Sequence, residues 1–113
     1  YVIIVYFISV LGGFSEGKML TSKQRAYLRS KANALQPVTQ IGKDGVSSAV
    51  LQEILTSIHA RELIKLHILP NSGHTARQAC DIICGELKVE PVQVIGSMIV
   101  IFKKKEKDSA YNI

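Results

Sequence analysis

Apolar positions along this chain follow two periods, and each change of period marks a new element. Tyr27, Leu28, Ala32 and Leu35 recur at helical spacing, which predicts a helix capped by Thr21 or Ser22 and running to about Leu35 with these four as its buried stripe. Pro37 stops it, because proline has a fixed φ and no N–H to donate. Pro37 to Ile41 then reads as a short strand. Val46, Val50, Ile54 and Ile58 repeat every four residues beside Leu51 and Leu55, predicting a second helix with Ser47 as its cap. From Leu63 to Leu69 the period drops to two: Ile64, Leu66 and Ile68 point one way, Lys65 and His67 the other, as in a strand covered on one side. Pro70-Asn71-Ser72-Gly73 is a turn, and a third helix from about Thr75 to Leu87 buries Ala76, Ala79, Cys80, Ile83 and Leu87. Pro91 to Ile95 and Met98 to Phe102 pair as a hairpin across Gly96-Ser97.

The order αβαβαββ predicts an α/β fold: a two-layer domain in which three helices pack on a small mixed four-stranded sheet. A chain of 113 residues with 47% hydrophobic content is long enough and apolar enough for one packed domain. Residues 1–18 stand apart. The run YVIIVYFISVL is too short to span a bilayer, which takes about 20 residues, and no positive charge precedes it as in a signal peptide. We read 1–18 as an apolar extension outside the native domain, with an added edge strand or a membrane-directed segment as the other readings. The working domain is then 19–104, followed by a flexible charged tail over 105–113.

Charge narrows the partner. The formal net charge is +5, and it is concentrated in two places. Lys23, Arg25, Arg29, Lys31 and Lys43 oppose only Asp44 between Met19 and Ser48, and four lysines from Lys103 onward oppose Glu106 and Asp108. Two basic clusters on a near-neutral body suit a polyanion, while a basic protein-interaction module without RNA contact is the alternative. The two cysteines, Cys80 and Cys84, fall on one face of a helix and lack the second ligand pair a zinc site needs, so no metal or cofactor is expected and a reducing, cytoplasmic setting fits. His59 and His74 have no ligand-spaced partners. Nucleophile, base and orienting acid cannot be assembled at any recognisable spacing, which argues against an enzyme and against a small-molecule substrate.

The stretch Ile41-Gly42-Lys43-Asp44-Gly45-Val46-Ser47 lies between a strand and the first turn of a helix. The first N–H groups of a helix have no internal partner and carry the positive end of its dipole, so an anion is stabilised there. Glycines would let a sugar-phosphate chain approach without a Cβ in the way, and Lys43 adds a charge at the tip. Two glycines also suit an ordinary turn. There is no Gly-Lys-Ser/Thr ending, so this is no nucleotide-hydrolysing loop.

Four segments together carry more than the loop alone: MLTSKQRAYL, PVTQIGKDGVS, HARELIKLHI and VQVIGSMIVIF, in this order and spacing. They resemble the CRM domain family, above all its stand-alone bacterial YhbY-type members, over Met19 to about Lys104. The resemblance implies a fold similar to the C-terminal domain of translation initiation factor three. It also implies RNA as partner, in bacteria ribosomal RNA within precursors of the large subunit. We expect a monomer, and no membrane contact for the native domain. The family's Gly-x-x-Gly loop maps onto Gly42, Lys43, Asp44 and Gly45, and its basic surface onto Lys23, Arg25, Arg29, Lys31, Lys65 and Lys103. A Gly45→Asp substitution is then expected to weaken RNA binding while the domain stays folded. Two departures stand out: Ile101-Phe102-Lys103 replaces the usual Leu-Tyr-Arg, and Glu86 to Pro91 lacks the glycine expected after the third helix.

Overall fold

The computed structural model describes residues 20–105 and 109–111; the apolar run over 1–18 lies outside the described residues. Helix α1 spans Ser22–Ala32, strand β1 Pro37–Ile41, α2 Ser48–Arg61, β2 Leu63–Ile68, α3 Ala76–Leu87, β3 Glu90–Ile95 and β4 Met98–Phe102, with one 3-10 turn at Pro70–Ser72. Each α-helix starts where a hydroxyl can accept the otherwise unpaired amides of its first turn. Thr21 accepts from the Gln24 amide while the Gln24 side chain accepts from the Thr21 amide, and Thr75 and Gln78 repeat this reciprocal pair. Ser47 accepts from the Val50 amide at 3.2 Å.

The four strands lie in the order β1-β2-β4-β3. β1 and β2 run parallel, and the other two pairings are antiparallel, so the sheet is mixed as the sequence predicts. One face is covered by α2 and α3. Ile54 and Ile58 of α2 and Ala79, Cys80 and Ile83 of α3 pack there with Ile41, Ile64, Leu66, Ile99 and Ile101 of the sheet. The opposite face holds a smaller cluster: Leu28 and Ala32 of α1 sit on Leu63, Val92, Val100 and Phe102. Helix α1 thus adds a partial third layer to the expected two. The reason is visible in two neighbouring pairs, Leu63 with Ile64 and Val100 with Ile101, all at most 2% exposed. Adjacent strand residues point to opposite faces, so both faces need cover.

Both outer strands are irregular near a proline. The β1–β2 register shifts between Pro37 and Thr39, and the β3–β4 register shifts between Pro91 and Gln93. Helix α3 ends with Lys88 in the left-handed conformation (φ 56, ψ 48), its amide donating to the Cys84 carbonyl. A lysine therefore occupies the position where a glycine would ordinarily terminate such a helix.

Candidate nucleic-acid interface

The glycine loop closes as a tight turn, the Gly45 amide donating to the Gly42 carbonyl at 2.8 Å. Lys43 and Asp44 form its exposed tip. The two glycines differ in what they do. Gly45 has φ +65, and a Cβ there would lie 3.3 Å from the Ser72 carbonyl oxygen and 3.4 Å from Nε2 of His74. Gly45 is accordingly buried. The open approach expected at this glycine is absent, because the loop after β2 packs over it; Gly45 gives the turn its shape and its contact with that loop. Asp in its place would strain the turn itself. At Gly42 a Cβ would meet only Leu69 Cδ1, at an ordinary 3.7 Å. The covering loop is itself fixed: the Leu69 amide donates to the Ile41 carbonyl, and Ser72 Oγ accepts from the His74 amide while donating to the His74 carbonyl. His74, which the sequence offers only as a polar residue without partners, is thus the side chain that joins the two loops. Helices α2 and α3 start just beyond these loops, at Ser47 and Thr75, so two positive dipole ends lie near Lys43.

Helix α1 does not adjoin this loop. Its buried residues pack against Leu63, Val92, Val100 and Phe102, whereas the loop follows Ile41, which pairs with Ile68. Leu63 and Ile68 are five residue steps apart along β2, a length of about 17 Å at the usual strand rise. Lys23, Arg29 and Lys31 are exposed on α1. Arg25 is half-buried, its Nε donating to the Pro91 carbonyl at 3.4 Å, and with Arg77, Pro91, Val92, Gln93 and Val94 it lines a groove of about 240 Å³ beside β3. Tyr27 departs from expectation: it is 38% exposed, with Lys31 Nζ 5.5 Å from its ring centroid. The buried stripe of α1 is Leu28 and Ala32 alone, one helical turn apart, which turns Tyr27 outward.

The sheet face that α1 only partly covers connects the two ends. Lys65 pairs with Val100, and His67 with Met98, so both side chains share the face of Leu63. Lys65, His67 and Met98 are half-buried there, Gln40 is exposed beside His67, and Ile95 opposite Met98 is 60% exposed. Lys103 lies at the far end, where its amide donates to the Glu62 carbonyl, away from the glycine loop. The basic residues therefore form a chain across the molecule rather than one patch.

The C-terminal segment is not a free cationic tail over its described part. Glu62, 1% exposed, accepts from the amides of Lys105 at 3.0 Å and Ala110 at 2.7 Å and from the Ser109 hydroxyl. Tyr111 meets Phe102 edge to face, with centroids 5.5 Å apart. Burial pushes the Glu62 carboxyl up, but the bonds from Ser109, Ala110 and Lys105 and the Lys105 charge outweigh it and hold the group below its ordinary value. Glu62 also ends α2 at φ 68, ψ −52, a conformation that non-glycine residues rarely adopt. Cys80 is fully buried, and Cys84, 3.9 Å away between sulfurs, is held as a thiol by its hydrogen bond to Cys80 and by burial. Among the described residues no three His, Cys, Asp or Glu side chains are grouped to hold a metal ion, and no helix is long and apolar enough to cross a membrane.

Residues 20–103, the sheet and all three helices, match the CRS1 / YhbY (CRM) domain. The chain belongs to the CRM domain family. This CRM domain is 37% identical over 90 residues to a Bacillus subtilis protein named "Probable RNA-binding protein YqeI", covering 80% of this chain and 94% of that one. A Haemophilus influenzae protein named "RNA-binding protein" is 32% identical, over 78% of this chain and 89% of its own. The solution structure of SAV1595 from Staphylococcus aureus superposes with a TM-score of 0.73 at 38% identity, covering 84% of this chain and 99% of the other. The fold of this CRM domain is thus similar to that of a relative of known structure.

Proposed function

We propose that this CRM domain binds RNA, and that its target is ribosomal RNA in precursors of the large subunit, which it helps to assemble in the cytoplasm. The observation that carries the reading is the Gly42–Gly45 turn. It holds Lys43 out at the tip beside the starts of α2 and α3, with Asp44 the only acid in the turn. Lys43 and the exposed amides of the tip would take a phosphate, and Gly45 would serve by holding the turn in shape. Lys65 then lies on a path over the open sheet face toward Lys23, Arg29 and Lys31 on α1. Arg25 is partly engaged with Pro91 and Lys103 sits at the far end, so both contribute charge more than contact. The names of the relatives support RNA as the ligand class.

Binding of a single-stranded ribosomal RNA fragment, titrated at several salt concentrations, tests this. Lys43→Glu should weaken binding and reduce the log–log salt slope by about 0.7, the value for one lost phosphate contact on a single strand. Unchanged affinity and slope would remove the turn from the interface. Sedimentation of cell extract tests the ribosomal part: the protein should travel with immature large subunits. Its appearance only among free proteins would favour the protein-interaction reading.

A further inference from the structure

Helix α1 carries Lys23, Arg25, Arg29 and Lys31 and no acidic residue, yet buries only Leu28 and Ala32. Lys23, Tyr27 and Lys31 recur every four residues, so they form one stripe along its exposed side at steps of about 6 Å. Tyr27 is the middle of that stripe. Among the described residues Tyr27 and Ile95 are the two large hydrophobic side chains left exposed. Lys31 Nζ lies over one face of the ring, 5.5 Å from its centroid, while 38% of Tyr27 stays open to solvent, so the ring is both exposed and already suited to a cation.

An accessible ring between two cations is the arrangement that single-stranded nucleic acid requires, since each nucleotide offers a flat base and a charged phosphate. Paired RNA cannot use it, because its bases are already stacked within the helix. We infer that the outer face of α1 is a docking site for single-stranded RNA, with one unpaired base stacked on Tyr27 and the flanking phosphates held by Lys23 and Lys31. This rests on the RNA-binding reading and deepens it: it names the form of RNA taken and a second contact point, on the other side of the sheet from the α2–α3 layer and away from the Gly42–Gly45 turn. The turn grips backbone; Tyr27 grips a base.

The test uses the full chain and three probes: a 12-nucleotide oligoadenylate, the same backbone made abasic, and an RNA hairpin. Tyr27→Leu should weaken oligoadenylate binding about tenfold, the scale of one lost base–aromatic stack, while Tyr27→Phe stays within about twofold of the wild type. Neither should change binding of the abasic strand, the salt slope or the melting temperature. Lys31→Gln should weaken both single strands and reduce the slope by about 0.7. Tyr27→Leu that is folded and binds oligoadenylate normally, or that weakens the abasic strand equally, overturns the stacking site while leaving backbone binding intact. A wild-type chain that binds none of the three probes overturns the RNA reading itself, and the stacking site with it.

Discussion

Glu62→Ala should detach the C-terminal segment and lower stability by about 2–3 kcal/mol. The carboxylate accepts three hydrogen bonds, and each bond to a charged group contributes about 1.5–3 kcal/mol. The Tyr111–Phe102 edge contact adds about 0.5–1.5 kcal/mol. Against this stands the ordering of Ser109, Ala110 and Tyr111, at about 1–2 kcal/mol of backbone entropy per residue. Once the carboxylate is gone the segment can return to water, so the loss is bounded by the difference between these terms and not by the sum of the bonds. Glu62→Gly removes the same bonds but adopts φ 68 freely, so it should be less destabilised than Glu62→Ala by about 1 kcal/mol. That order is the reverse of the ranking inside a helix, where alanine is the better residue, and it follows the preference for glycine at positive-φ helix ends. Urea unfolding followed by far-ultraviolet circular dichroism measures all three proteins. A loss below about 0.5 kcal/mol in Glu62→Ala would refute the docked segment, and alanine outranking glycine would refute the strained backbone.

The same pair carries a pH signature. Because the native carboxyl lies below its ordinary value, its contribution is fully present above that value and is lost as pH falls through the native one. The stability gap between wild type and Glu62→Ala should therefore stay constant from neutral pH down to the ordinary carboxyl range and close only in stronger acid; a gap that closes near neutrality would contradict it. Lys88→Gly should raise stability by about 1 kcal/mol, since the left-handed conformation costs a side chain that much and glycine nothing, and a melt showing no gain would place the strain elsewhere. Gly45→Ala should cost about 1–2 kcal/mol through its positive φ and the Ser72 contact, while Gly42→Ala stays within about 0.5 kcal/mol; equal melts for the two would refute the distinction.

Elements bounded by local chemistry are legible in the sequence. Thr21, Ser47 and Thr75 cap their helices because a hydroxyl needs only the next turn to act, and β1 spans Pro37–Ile41 as its flanking proline and glycine indicate. What depends on distant residues is harder to read. Glu62 looks like a surface charge beside a strand, and its burial follows only when a segment over 40 residues later brings three donors to it. Tyr27 fits a helical stripe as well as Leu28 does; which of them faces inward depends on where Leu63 and Phe102 lie on the sheet. The uninterrupted apolar run from Met98 to Phe102 did carry the signal that β4 is covered on both sides, whereas the strict alternation of Lys65 and His67 with Leu66 and Ile68 marks the part of β2 left open. At the candidate site, the turn and its lysine are visible in the sequence, but the packing of His74 on Gly45 joins residues that no local pattern connects.

The prolines at Pro37 and Pro91 and the register shifts beside them have an outcome for molecules that meet in solution. A rim of unpaired amides and carbonyls is a template on which a second chain can polymerise. Here each rim lacks a donor at its proline and breaks its spacing within two residues, so a foreign backbone finds no uninterrupted ladder on either side. Among the described residues the sheet stops at four strands, and what its faces offer for recognition is side chains.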